Sequence, residues 1–77
     1  MTKAERTRRM RQLIAMAPRI PQMEPGALSE ELRRLDDEIN SLPQEEAEGE
    51  LGEAITATQT NLEHWFQFHT GREFAWF

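Results

Sequence analysis

The segment from Leu28 to Leu42, LSEELRRLDDEINSL, decides the fold. Its apolar residues Leu28, Leu32, Leu35, Ile39 and Leu42 recur at spacings of 4, 3, 4 and 3, the two-position seam of a heptad pattern that an α-helix gathers onto one face. Ser29 stands where an N-cap belongs, Glu30 and Glu31 complement the positive end of the helix dipole, and Pro43 ends the helix. On the solvated side Glu30 with Arg34, Arg33 with Asp37, and Arg34 with Glu38 lie four residues apart. Such pairs contribute only about 0.2–0.5 kcal/mol each and carry no functional message.

Toward the C-terminus, Leu51, Ile55, Thr58, Leu62, Trp65 and His69 continue the spacing as 4, 3, 4, 3, 4, and Gly71 follows where a helix-ending glycine belongs. This predicts a helix over residues 45–70 whose first turns are weakened by Gly49 and Gly52, each costing about 1 kcal/mol against alanine. A β-hairpin at residues 64–77 competes with it. Phe66 and Phe68 alternate, as do Phe74 and Trp76, and reflection about Gly71 sets Phe66 opposite Trp76 and Phe68 opposite Phe74. A lone two-stranded hairpin is marginal in water, however, and this turn lacks the usual Asn-Gly or Asp-Gly pair. The helix is therefore preferred.

Toward the N-terminus, residues 3–17 read as a basic amphipathic helix with Met10, Leu13, Ile14 and Ala17 on one face. Pro18, Pro21, Pro25 and Gly26 exclude regular structure from the connector 18–27, with Ile20 and Met23 tucking it against the body. The expected fold is all-α, a single small domain in which helices 28–42 and 45–70 form a hairpin. Their seams, Leu28, Leu32, Leu35, Ile39 and Leu42 with Leu51, Ile55 and Leu62, face one another or pair across a homodimer. The α+β arrangement with the terminal hairpin is the alternative. Residues 71–77 form an aromatic tail.

Charge and aromaticity are unevenly placed. The net charge of −5 combines +5 over residues 1–19, from Lys3, Arg6, Arg8, Arg9, Arg11 and Arg19 against Glu5, with −10 over residues 20–77. Arg6, Arg8, Arg9 and Arg11 suit phosphate recognition. They also sit near a helix N-terminus, where positive charge opposes the dipole and calls for an acidic counterpart. That counterpart is a phosphate backbone, the acidic stretch Glu45–Glu53, or the helix 28–42. All six aromatic residues, Trp65, Phe66, Phe68, Phe74, Trp76 and Phe77, fall near the C-terminal end, too many for a short helix pair to shield.

Seventy-seven residues with 38% apolar content allow one core and leave little room for an enclosed cleft. Without cysteine there is no disulfide, zinc-thiolate site or catalytic thiol. His64 and His69, five apart, cannot chelate one ion from a single helix face. Asp36, Asp37 and Glu38 splay around their helix instead of converging. No metal, cofactor or catalytic residue is expected, nor a membrane span, and the chain is read as a cytoplasmic protein.

The leading expectation is a non-catalytic protein-interaction module, a small regulator, adaptor or inhibitor of the kind phages and mobile elements direct at host proteins. It binds a protein partner through Trp65, Phe66, Phe68, Phe74, Trp76 and Phe77, and forms a homodimer. The alternatives are a nucleic-acid-binding regulator using Arg6, Arg8, Arg9 and Arg11, and an acidic nucleic-acid mimic built from Glu30 to Glu53.

Overall fold

The computed structural model describes residues 1–76; Phe77 lies outside the described residues. Four α-helices run in the order α1 Lys3–Met16, α2 Pro25–Ser41, α3 Gln44–Ala47 and α4 Glu50–Thr70, with a 3₁₀ segment Ala17–Gln22 after α1. Among the described residues there is no β-strand, so the fold is all-α. The hairpin alternative fails because residues 64–70 complete α4 and hydrogen-bond within it. Gly71 then reverses the chain at φ 75°, its N–H donating to the Gln67 carbonyl at 2.8 Å.

The start of α1 at Lys3 is as expected, whereas that of α2 is earlier than expected. In α1 the Thr2 hydroxyl accepts from the Glu5 N–H at 3.1 Å, a cap that the Thr2-to-Glu5 spacing signals. In α2 the first helical residue is Pro25, whose missing N–H would have had no partner there and whose fixed φ suits the helix. Ser29 is thus an interior residue and not the N-cap. The end of α2 is as expected: Leu42 is extended at φ −74° and ψ 145°, the conformation that Pro43 imposes on its predecessor.

Prolines were expected to leave residues 18–27 irregular, yet residues 17–22 form 3₁₀ turns. Proline's φ falls within the 3₁₀ range, and such turns need few N–H donors. Ile20 is fully buried in this segment and Met23 packs partly against the core, as the apolar pattern required. The long third helix is also interrupted. Residues 44–47 form a single turn, α3, and Gly49 becomes the N-cap of α4.

The seams meet within one chain. Leu28, Leu32 and Leu35 of α2 are fully buried with Leu51, Ile55 and Leu62 of α4, joined by Leu13, Met16 and Ile20; Ile39 and Leu42 pack partly against this cluster. Burying each such side chain contributes about 1.5–3 kcal/mol. The buried residues of α1 are Leu13, as expected, and Met16, whereas Ile14, expected in the core, is 69% exposed. The inward stripe of α1 is Arg6, Arg9, Leu13 and Met16, and its charged members hid it from a count of apolar residues.

α4 packs along α2 and also against α1 and the 3₁₀ segment, and α1 reaches α2 as well through Arg9 and Glu38. Arg6 meets Glu46 just before α4 begins, and Pro21 meets His69 at its end, so α1 and α4 run parallel. The molecule measures 39 × 27 × 15 Å. Among the described residues no helix is long and apolar enough to cross a membrane.

Candidate interaction surfaces

The last turns of α4 send the aromatic side chains to two sides. Trp65 and Phe68 lie toward α1, with ring centroids 5.1 Å apart in an edge contact. His69 stacks obliquely on Trp65 at 5.9 Å while its Nε2–H donates to the Pro21 carbonyl at 2.9 Å. Phe66 lies toward α2. The reversal at Gly71 brings Phe74 edge-on to Phe66 at 5.3 Å, and Trp76 edge-on to Phe74 at 4.8 Å. The hairpin partners Phe66 with Trp76 and Phe68 with Phe74 are not formed. Trp65, Phe66 and Phe74 pack partly against the core, whereas Phe68 at 69% and Trp76 at 39% remain exposed.

Arg33 of α2 fixes the tail. Its guanidinium carbon lies 5.1 Å from the Phe74 ring centroid, and Nη2 donates to the Ala75 carbonyl at 3.4 Å. One face of the aromatic pair therefore already receives a cation. On the other side the tail and α4 enclose a shallow groove of about 410 Å³, lined by Thr60, Glu63, His64, Gln67, Glu73, Phe74 and Trp76. Neither Glu63 nor Glu73 forms an ion pair among the described residues. Sequence reasoning named the rings but missed these two carboxylates. They lie ten positions apart, and only the turn at Gly71 brings them to one groove.

The N-terminal arginines divide into two pairs. Arg6 grips Glu46 of α3 through Nε and Nη2 at 2.8 and 2.7 Å, and Arg9 grips Glu38 of α2 at the same two distances. Bidentate forks of this kind fix geometry as well as charge. Arg8 and Arg11 stay exposed beside Lys3, Ala4 and Thr7 on the outer face of α1. Two of the four arginines expected to contact nucleic acid are thus committed to this protein's own carboxylates. The acidic run is divided likewise: Glu30 and Glu31 meet Arg34, Glu38 and Glu46 meet α1, and Glu45, Glu48, Glu50 and Glu53 remain toward solvent. The expected pairs Arg33 with Asp37 and Arg34 with Glu38 do not form, because Arg33 turns to the tail and Arg9 takes Glu38.

The hydrogen-bonded guanidinium of Arg6, and next its charge, hold the Glu46 carboxyl below the ordinary glutamate range, and Glu46 in turn holds Arg6 more firmly protonated. A carboxylate lowered in the folded state contributes stability above its unfolded value of about 4.3, and that contribution is lost as pH falls through the lowered value. Glu46→Gln should therefore flatten the acid limb of thermal stability below about pH 4.3 relative to wild type, measured by circular dichroism melts across pH.

No family model, curated protein or solved structure matches this chain. The core contains no buried polar or charged side chain, and among the described residues no three His, Asp or Glu groups are placed to hold a metal ion. The chemistry on offer lies outside the core, in one acidic and aromatic groove, one apolar face between α1 and α4, and the outer cations of α1.

Proposed function

We propose that this protein is a non-catalytic interaction module, a small regulator, adaptor or inhibitor that docks a basic, partly apolar segment of a larger protein at its C-terminal end. The observation that carries this reading is the groove in which unpaired Glu63 and Glu73 flank the rings of Phe74 and Trp76. An arginine or lysine of the partner can lay its aliphatic stem along the rings and place its charged head between the carboxylates. Arg33 on Phe74 is an internal precedent for the same chemistry. The −5 net charge speeds encounter with a basic partner, an effect that weakens as salt rises. In this reading the protein is cytoplasmic, needs no cofactor and acts as a homodimer.

Truncation after Thr70 removes Phe74 and Trp76, while Glu63→Gln with Glu73→Gln removes only charge. Both variants should remain helical and both should lose the partner that wild type retains from native cell extract. Full retention of that partner by the double glutamine variant, with helicity intact, would reject the reading. The nucleic-acid alternative has fewer groups to work with, since Lys3, Arg8 and Arg11 form its remaining surface while −10 of charge lies in the rest of the chain. Binding of mixed DNA or RNA at about 50 mM salt, falling steeply with added salt, would favour it instead.

A further inference from the structure

The face between α1 and α4, which borders the acidic and aromatic groove along Thr60 and His64, is apolar and open. Ile14 and Ala17 meet Ala54, Ala57 and Asn61 of α4 across a shallow furrow of about 290 Å³. Phe68 continues the same α4 stripe, since positions 54, 57, 61 and 68 share one side of a helix. Ile14 and Phe68, each 69% exposed, are two of the four large apolar side chains left exposed among the described residues. Excess surface is the second observation. The accessible surface is 5401 Å² for a 9.0 kDa chain, roughly 10% above the value of about 4,850 Å² expected of a folded monomer that size. The third is charge. Lys3 marks the α1 edge of this face, and Glu50 and Glu53 mark the α4 edge at the same end, because α1 and α4 run parallel.

We infer that this face is a self-association surface whose occupant is a second copy of the chain, related by a two-fold axis running along the furrow. That axis lays α1 of one copy on α4 of the other in parallel. Lys3 then meets Glu50 and Glu53 of the second copy, Ile14 meets its Ala57, and Phe68 covers its proline-bearing 3₁₀ segment. A two-fold axis across the helices would instead lay Glu50 against the aromatic end of the other copy, which buries charge without a partner. A two-fold interface must be complementary to itself, and opposite charges on the two edges at one end satisfy that condition only in the parallel arrangement. A face about 30 Å long and two helices wide buries roughly 600 Å² per copy, at the lower edge of stable interfaces, so dissociation constants in the micromolar range are expected. The inference rests on the reading of the chain as an interaction module but uses different side chains from the C-terminal groove.

Sedimentation equilibrium from about 1 to 500 µM tests it. Wild type should pass from 9.0 kDa toward twice that mass as concentration rises. Phe68→Ser and Ile14→Ser each replace an exposed side chain, so helicity should persist while the dissociation constant rises at least tenfold. Lys3→Glu should weaken association, and adding Glu50→Lys with Glu53→Lys should restore it. A chain that stays monomeric throughout, a dimer indifferent to both serine variants, or a charge swap that fails to restore association would overturn the inference. Glu63→Gln with Glu73→Gln should dimerise normally, which separates this result from a failure of partner docking.

Discussion

Gly52→Ala should lower the melting temperature by about 15 °C or more, corresponding to a loss of about 3 kcal/mol or more in a domain of this size. A Cβ at this position would lie 1.7 Å from the Ala47 carbonyl oxygen and 2.4 Å from its carbon, where contacts under 3.0 Å essentially never occur. The obstacle is backbone, so no rotamer change relieves it. Helix propensity alone would favour alanine by about 1 kcal/mol, and the steric term reverses the sign. To admit the methyl group, α3 must lift from α4, which also draws Glu46 away from Arg6. The acid limb of stability should therefore weaken in the same variant. Gly26→Ala is the control: nothing lies within 4 Å of its Cβ position, and the substitution should be neutral or stabilising by up to about 1 kcal/mol.

Ile20→Ala should cost about 2–5 kcal/mol, because its side chain is 0% exposed and truncation leaves a cavity beneath the 3₁₀ segment. Ile14→Ala removes the same atoms six positions earlier, from a side chain that is 69% exposed. At concentrations where the chain is monomeric it should change stability by no more than about 0.5 kcal/mol. Urea unfolding of the two variants at low micromolar concentration measures the difference. Comparable costs would mean that the proline segment is a loose connector and that α1 packs through Ile14 after all.

These contrasts mark how much of the molecule was legible in the sequence. The bodies of α2 and α4 were, though not the break at Glu48 and Gly49, because Leu28, Leu32 and Leu35 and Leu51, Ile55 and Leu62 obey one period, and the physics that buries one residue buries the rest. The face of α1 was misread, since its inward stripe mixes Arg6 and Arg9 with Leu13 and Met16, and the arginines are inward only because Glu46 and Glu38 wait for them. Gly52 was read as a local cost, whereas its role is a close approach between two backbones that no local pattern encodes. The prolines misled in the opposite direction, by removing α-helix but not 3₁₀ structure.

The candidate site was half visible. Crowding of Trp65, Phe66, Phe68, Phe74 and Trp76 near one end pointed to a contact surface, and the fold separates them into an α1-side group and an α2-side group. That separation depends on helical phase, which the hairpin alternative had left open. The contribution of Glu63 and Glu73 depended on the turn at Gly71 and on Arg33 holding the tail. Long-range contacts of that kind carry no periodic signature.

Binding of a basic side chain in the C-terminal groove can be followed by nuclear magnetic resonance titration of the intact protein with N-acetyl-arginine amide, up to about 50 mM for so small a probe. Saturable shifts are expected at Glu63, Glu73, Phe74 and the Trp76 indole N–H alone, and none in the Glu63→Gln, Glu73→Gln double variant. Shifts that stay linear with probe concentration, or that spread equally over Glu45, Glu48, Glu50 and Glu53, would contradict binding in the groove.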